Sequence, residues 1–263
     1  MPVRQWFSAR TFWMRWIANL KAEVLPPLTQ KHQRQMRGNS MKKITVEVWS
    51  DFVCPWCWIA KKRLEQAIDA LGDQVEVEIV PRAYRLAKGM SPIPFKQALL
   101  RKTGSQDRAE VFLEAVRESA LLEGLEYRFD SMRFGDTSAA HQYVKAISDP
   151  ALQARYVERL YRAGTTEGKD IFSDRVLLDL AIEVGATEFV GFESAEAAIL
   201  SDEALVNGLG AGIPLFVISG SQFISGAQES AVFTQVLRAA IEELSSDEEA
   251  NSATSCSISG CSH

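Results

Sequence analysis

Two cysteines stand three positions apart in the segment CPWC, Cys54 to Cys57. Thiols at this spacing can form a redox-active pair, supply half of a zinc site, or fill a core as inert small residues. Pro55 suits the first turn of a helix, and the free amides and positive dipole of a helix N-terminus stabilise a thiolate. We therefore expect Cys54 to be the nucleophile. Cys57 lies one turn later on the same face, where it can attack a mixed disulfide at Cys54.

Two other interpretations of the pair stay open. Cys256 and Cys261 near the end of the chain could complete a four-cysteine zinc site, although zinc-binding pairs usually lie in glycine-rich turns and do not open long helices. Two inert buried thiols on either side of Pro55 and Trp56 would be an unusual way to fill a core. The position at a helix start favours the redox pair.

The surrounding pattern predicts the elements that hold this pair. Residues 44–50 and 74–82 alternate apolar and polar residues as strands do, and the segment between them has helical periodicity up to Gly72. A strand, a helix and a strand in this order predict a parallel pair. Residues 94–207 have helical periodicity throughout, whereas 214–219 and 221–225 are typical of a hairpin before a last helix that ends at Leu244.

This order predicts an α/β fold in several parts. Residues 41–93 and 209–244 form the strand-containing domain, and 94–208 form a helical domain inserted into it. Residues 1–40 are a basic extension, which we expect to be disordered; the alternative is an amphipathic basic arm. Residues 245–263 are too polar to bury a face, and we expect a flexible tail.

Composition limits the partners. The 263 residues carry 29 basic and 34 acidic side chains, a net charge of -5, which gives no reason to expect nucleic acid. No apolar run reaches the roughly 18 residues that span a bilayer, and Arg10 and Arg15 interrupt the one apolar stretch that could serve as a secretory signal. We expect a cytoplasmic protein without a membrane or nucleic-acid partner.

A second motif, GIPLFVIS, begins a strand with Pro214 more than a hundred residues after the cysteines. Together with WSDFVCPWCWIAKKR and ISGAQ it resembles the DsbA superfamily, in particular its FrnE-like branch, over roughly residues 43–241. The resemblance implies a thioredoxin-like fold with a large all-helical insertion between the second and third strands. It also implies that Pro214 is cis beside the cysteines and that Ile213 docks the substrate through its backbone, with Pro55 and Trp56 supporting the site.

A weaker match concerns the segment DTSAAH, Asp136 to His141, which is similar to an N-T-x-x-A-H pattern of that family. Asp136 stands where the family commonly has Asn. We expect Thr137 to cap a helix here and His141 to be a hydrogen-bonded packing residue.

The tail pair Cys256 and Cys261 suggests an auxiliary redox pair, since similar pairs occur in some FrnE-like proteins. A flexible linker of about 12 residues has an r.m.s. reach of roughly 20 Å, enough to visit Cys54. The alternatives are a metal-chelating tail completed by His263 and a disordered tail without a role.

The expected function is that of a thiol-disulfide oxidoreductase of the reductase or isomerase type. Its partners would be a client protein with a disulfide or thiols and a thiol reductant system, with glutathione as a potential redox partner and no metal or organic cofactor. The alternative is a glutathione-dependent isomerase or transferase of the 2-hydroxychromene-2-carboxylate isomerase or kappa class, which resembles the same scaffold. Those relatives tend to have Ser where Cys54 stands.

Overall fold

The computed structural model describes residues 42–72 and 75–256. The basic segment 1–40 and Cys261 lie outside these residues, so the predictions made for them remain predictions. No helix among the described residues is both long and apolar enough to cross a bilayer.

A four-stranded mixed sheet lies at the centre of the fold, in the order β2-β1-β5-β6. Strand β1 (Lys42–Ser50) pairs in parallel with β2 (Val75–Ala83) and antiparallel with β5 (Leu215–Ile218). Strand β6 (Gln222–Ser225) forms the hairpin with β5 that the sequence predicts. All four residues of β5 are buried, as expected for a central strand.

Helix α1 (Pro55–Asp69) and the last helix, α8 (Ser230–Cys256), pack against one face of this sheet. Their inward side chains recur at helical spacing, and the sheet contributes alternate residues of β1, so each element buries one face. The fully or nearly fully buried residues of this layer include Ile44, Val46, Ala60, Leu64, Phe216, Phe233 and Leu237.

The insertion between β2 and β5 is helical, as predicted, with one exception. It contains α2 (Phe95–Thr103), α3 (Gln106–Leu122), α4 (Ser138–Ala146), α5 (Pro150–Thr165), α6 (Asp174–Glu183) and α7 (Phe192–Leu209). Two short strands, β3 (Ile93–Pro94) and β4 (Arg133–Phe134), pair antiparallel within it. The expected all-helical insertion is therefore wrong in this detail, because two-residue strands leave no readable alternation.

The prediction that the last helix ends at Leu244 is also wrong, because α8 continues to Cys256. Twelve helical residues span about 18 Å at 1.5 Å each, but they do not form the flexible tether assumed for the tail pair. The helix is already nucleated by its buried first part, so the Glu and Ala residues beyond Leu244, which favour helix, can propagate it.

Ion pairs and a hydrogen bond of two buried side chains, Arg85 and Asp202, join the insertion to the end of β2. Arg85, with a side chain 1% exposed, pairs with Glu203 at 2.7 Å and Glu196 at 2.9 Å, both on α7. Asp202 on α7 accepts a hydrogen bond from the Ala83 amide at 2.9 Å and pairs with Lys145 of α4 at 2.6 Å. These contacts hold α4 and α7 beside the carboxyl end of β2, where the cysteine pair also lies.

Candidate active site

The cysteine pair lies at the junction of β1 and α1. Cys54 is the N-cap residue of α1 in extended conformation, and Pro55 occupies the first turn. The Cys54 amide donates to the Asp51 carbonyl at 3.1 Å, and the Cys57 amide donates to the Cys54 carbonyl at 3.2 Å. Both sulfurs are free thiols in a tight turn at the positive end of a 15-residue helix.

The two thiols differ in environment. Cys54 is 6% exposed and lines a groove, whereas Cys57 is 2% exposed and does not line it. Burial raises the pKa of Cys57 well above its usual value, and the hydrogen bond to Cys54 acts in the same direction. Cys57 is therefore held as a neutral thiol behind the more accessible Cys54.

Asp51 is a fully buried carboxylate that fixes the turn before the pair. Its Oδ2 accepts a hydrogen bond from the Leu86 amide at 2.7 Å, and its Oδ1 accepts one from the Thr137 hydroxyl at 2.7 Å and a longer one from the Val53 amide at 3.4 Å. One side chain thus joins the active-site turn, the loop after β2 and the start of α4.

The segment DTSAAH contributes two residues to this cluster. Thr137 occupies the N-cap position of α4, as predicted, but its side chain makes no cap hydrogen bond, and its hydroxyl donates to Asp51. Asp136 accepts from the Ser138 amide at 2.9 Å instead. His141 is buried and packs on Phe52 with ring centroids 4.8 Å apart.

The hydrogen bonding expected of His141 is only partly observed. Its amide donates to the Thr137 carbonyl at 3.0 Å, but its Nε2 has no hydrogen-bond partner within residues 42–72 and 75–256. That nitrogen lies 3.8 Å from Asp51 Oδ1.

Aromatic residues of the insertion hold the first turn of α1. The Tyr127 hydroxyl donates to the Pro55 carbonyl at 2.7 Å, and burial raises the pKa of Tyr127, so the hydroxyl remains a neutral donor. Trp56 meets Phe112 of α3 edge to face at 6.2 Å. Trp58 is buried, stacks on Tyr161 at 6.1 Å, and donates through Nε1 to Glu158 at 3.1 Å.

The Ile213–Pro214 peptide bond is cis, in agreement with the expectation from the resemblance. Pro214 is buried, and its carbonyl accepts from the Gly226 amide at 2.8 Å. Within the described ranges, no hydrogen bond is made by the backbone amide or carbonyl of Ile213. Ile213 lies just before β5 and, with Cys54, lines the same groove.

The groove has a volume of about 710 Å³ and a mostly apolar lining. One wall is the start of α1 with Ile213, and the other consists of α2 and nearby insertion residues. The lining residues are Val53, Cys54, Pro55, Trp56, Leu86, Phe95, Ala98, Leu99, Lys102, Thr103, Phe112, Phe134, Gly212 and Ile213.

The structure therefore brings five predicted site residues together: Cys54, Pro55, Trp56 and Ile213 at the groove and Cys57 behind it. Pro214 adjoins Ile213. The predicted auxiliary pair is not tested, since Cys261 lies outside the described residues.

The roles of Asp51, Thr137 and Tyr127 were missed by sequence reasoning. Asp51 and Thr137 lie inside the motifs WSDFVCPWCWIAKKR and DTSAAH, so the sequence did indicate these two positions. Tyr127 had none, because its partner Pro55 is 72 positions away.

A mixed sheet in this order, with a Cys-x-x-Cys turn opening the helix after β1 and a cis-proline directly after Ile213, which lines the same groove as Cys54, defines a thioredoxin-fold dithiol protein. Residues 45–238 match the model of the DSBA-like thioredoxin domain, and the chain belongs to that family.

Individual relatives agree with this assignment. A probable DsbA oxidoreductase from Streptomyces coelicolor is 30% identical, with 76% of this chain and 91% of that chain covered and a TM-score of 0.66. The uncharacterized protein YwbO of Bacillus subtilis is 27% identical over 206 residues, 74% of this chain and 96% of that protein. The cytosolic disulfide reductase DsbM of Pseudomonas aeruginosa is 21% identical, with 75% and 98% covered and a TM-score of 0.54, which shows a common fold.

Proposed function

We propose that this protein is a dithiol disulfide oxidoreductase that reduces or isomerises disulfides of client proteins in the cytoplasm, without a metal or organic cofactor. The observation that supports it most directly is the division between the thiols. Cys54 shares a groove with Ile213, whose backbone amide and carbonyl make no hydrogen bond to any described residue, and Cys57 lies behind Cys54 as a buried neutral thiol.

The reaction proceeds in two exchanges. The Cys54 thiolate attacks one sulfur of a client disulfide, which forms a Cys54–client disulfide and releases the other client sulfur as a thiolate that takes up a proton. Cys57 then loses its proton and attacks Cys54, which forms the Cys54–Cys57 disulfide and releases the second client thiol. Two electrons and two protons pass to the client, and a thiol reductant regenerates the pair.

Ile213 supplies the client contact in this proposal. A backbone amide and carbonyl without partners can hydrogen-bond an extended segment as an added strand would. Such pairing aligns the client beside Cys54 regardless of client sequence, because it uses main-chain groups.

The direction of electron flow follows from the residues between the cysteines. Pro55 and Trp56 carry no cation that would favour the thiolate of Cys54 and hence the reduced pair. We therefore expect a reduction potential nearer that of thioredoxin, about -270 mV, than that of the strong oxidant DsbA, about -120 mV.

The test is a redox titration resolved by site. The protein is equilibrated in graded glutathione buffers, free thiols are trapped by alkylation, and each cysteine is counted by mass spectrometry, with Cys54→Ser as the control for nonspecific oxidation. Joint titration of Cys54 and Cys57 as a two-electron couple supports the proposal. A midpoint near -120 mV would refute the reductase direction, and glutathione-dependent turnover that survives in Cys57→Ser would favour the isomerase or transferase alternative.

A further inference from the structure

The resolving thiol has to lose its proton inside the protein. Cys57 is 2% exposed and does not line the groove, whereas Cys54 does. Because a thiolate and not a thiol attacks a disulfide, the second exchange requires that Cys57 give up its proton before it attacks Cys54. Burial raises the pKa of Cys57, and so small an exposed fraction leaves the thiol little contact with water. A buried group is therefore needed to accept this proton.

Few buried groups can act as the acceptor. Apart from tyrosines, tryptophans and cysteines, the buried polar or charged side chains of the described residues are Ser50, Asp51, Arg63, Arg85, Thr137, His141, Thr165 and Asp202. Two carboxylates and one imidazole are the bases in this set. Asp202 accepts from the Ala83 amide at 2.9 Å and pairs with Lys145 at 2.6 Å. Asp51 accepts three hydrogen bonds. His141 differs from both, since its Nε2 has no hydrogen-bond partner in the part of the chain that the structure describes.

Asp51 is a common neighbour of the thiol and the imidazole. A hydrogen bond from the Asp51 amide opposes the rise in the pKa of Cys57, and Asp51 Oδ1 lies 3.8 Å from His141 Nε2. The imidazole is held in place by Phe52, with ring centroids 4.8 Å apart, and Tyr161 packs on the same Phe52 ring at 5.2 Å. Burial raises the pKa of Tyr161, so its hydroxyl stays neutral beside this group. A base that a carboxylate orients, close to a nucleophile, is the arrangement that activates thiols and hydroxyls in many enzymes.

We propose that His141 is the proton acceptor of the resolving step, in which Cys57 attacks the disulfide between Cys54 and the client. This inference rests on the proposed function. The Cys57 proton passes across the Asp51 contact to Nε2 of the neutral imidazole, and the Cys57 sulfur bonds to the Cys54 sulfur. The bond between Cys54 and the client breaks, and the client sulfur leaves as a thiolate that water protonates. When a reductant later opens the pair, Cys57 leaves as a thiolate and takes the proton back from His141.

The charges that face His141 allow a proton on the imidazole. Asp51 faces it from the turn after β1, whereas Arg82 of β2 and Lys145 of α4 line the same cavity of about 10 Å³ as His141. Asp202 of α7 offsets these two cations, at 3.3 Å from Arg82 and 2.6 Å from Lys145. Asp51 then remains to stabilise the imidazolium, because a proton on Nε2 lies between that nitrogen and Oδ1 and forms a charge-assisted hydrogen bond when the 3.8 Å distance shortens.

Loss of this acceptor should slow one step and spare the other. Attack by Cys54 on a disulfide does not need His141, so the mixed disulfide should form within about two-fold of the wild-type rate. A positioned base contributes about 10²–10⁴-fold to a proton transfer, and slow loss of the proton to water limits the deficit. We therefore expect the mixed disulfide to decay at least about ten-fold more slowly without the imidazole.

The experiment follows both steps with oxidised glutathione as the substrate. Reduced protein is mixed with it and quenched in acid, and mass spectrometry of the peptide that contains both cysteines counts the Cys54–glutathione adduct and the Cys54–Cys57 disulfide. The adduct should not accumulate in the wild type, should persist in Cys57→Ser, and should accumulate transiently in His141→Phe and His141→Gln. The first of these two variants keeps an aromatic ring against Phe52, and the second keeps a polar group. Val144→Ala, at another buried residue of α4, is the control for loosened packing and should resolve the adduct as fast as the wild type.

The pH profile of adduct decay is a readout that a packing role would not move. Between pH 7 and 9 the decay should rise about ten-fold per pH unit in both His141 variants, because hydroxide must remove the Cys57 proton, and the wild type should change much less. Decay as fast in both variants as in the wild type, equal slowing of formation and decay, or the same deficit in Val144→Ala would overturn the inference while the oxidoreductase function stands. Failure of Cys54 to form the adduct in Cys57→Ser would overturn the proposed function itself.

Discussion

The buried carboxylate of Asp51 offers a stability test that can be worked out from the structure. Asp51→Ala removes the acceptor of two short hydrogen bonds, from the Leu86 amide and the Thr137 hydroxyl, both at 2.7 Å. A buried donor left without an acceptor costs about 1–3 kcal/mol. Two such donors, with a small cavity in addition, predict a loss of about 3–5 kcal/mol in the free energy of unfolding.

Two milder substitutions should give a graded series. In Asp51→Asn the amide oxygen can accept from Leu86 while the amide nitrogen donates to the Thr137 oxygen, so the loss should be about 1–2 kcal/mol. Thr137→Val removes one donor together with its bond to Asp51, and a similar loss of about 1–2 kcal/mol is expected. The order Ala, then Asn and Val, follows from the number of hydrogen bonds to Asp51 that are disturbed: both in Asp51→Ala, and only the Thr137 bond in the other two variants.

The assay is urea unfolding followed by circular dichroism under reducing conditions. The m-value, the slope of the free energy of unfolding against urea concentration, is checked to be the same in all variants. Asp130→Ala is the matched control: this carboxylate is 91% exposed and its one ion-pair partner within the described part of the chain is Lys96, so its loss should be below about 0.5 kcal/mol. A loss below about 1 kcal/mol for Asp51→Ala would refute the view that Asp51 joins the active-site turn to β2 and α4.

Two further predictions concern other buried groups. Burial raises the pKa of Cys57, so the folded state holds its proton more tightly than the unfolded state. The contribution of the Cys57 thiol to the free energy of unfolding is fully present below the pKa of this thiol in the unfolded chain, about 8.5. It decreases as the pH rises above that value. In urea unfolding of the reduced protein, the free energy of unfolding should be about 1 kcal/mol lower at pH 9.5 than at pH 8. This difference should disappear in Cys57→Ala. A difference of the same size in both proteins would show that it does not come from Cys57. Arg63 and Glu123, 5% and 6% exposed, pair at 2.6 Å, so Arg63→Ala should cost about 3–5 kcal/mol by the same assay, whereas joint replacement by Met and Leu should cost much less. Similar losses in the single and double variants would contradict a penalty from the buried Glu123 charge, which Arg63→Ala leaves without a cation and with the Gln66 amide as a donor at 2.7 Å.

Features that depend on local chemistry were predictable from the sequence. The strand before CPWC, the proline that starts α1, and the hairpin between β5 and β6 each have a signal within a few residues. Ser219 and Gly220 both have positive φ in that hairpin, which is the backbone that a tight turn between twisted strands requires. The cis bond before Pro214 was available only through the family resemblance.

Features that depend on tertiary contacts were not predictable. The contact of Tyr127 with Pro55 joins a loop to a helix start 72 positions earlier, and no periodicity marks either residue as its partner. The lining of the groove likewise combines α1, α2, α3 and the Ile213 segment, which the sequence places far apart. The end of α8 was not predicted for a different reason. Apolar periodicity identifies helices that bury one face, whereas polar residues that follow an already nucleated helix can extend it without such periodicity.

Thr137 shows how the insertion and the active site depend on each other. At the N-cap of α4 its hydroxyl could accept a backbone amide of the helix and stabilise it by about 1 kcal/mol. It instead donates to Asp51, and Asp136 satisfies the start of the helix in its place. Because Asp51 also holds Leu86 and the turn before Cys54, a shift of α4 cannot leave the cysteine turn unchanged. The insertion therefore acts both as a wall of the groove and as part of the support that keeps Cys54 in position.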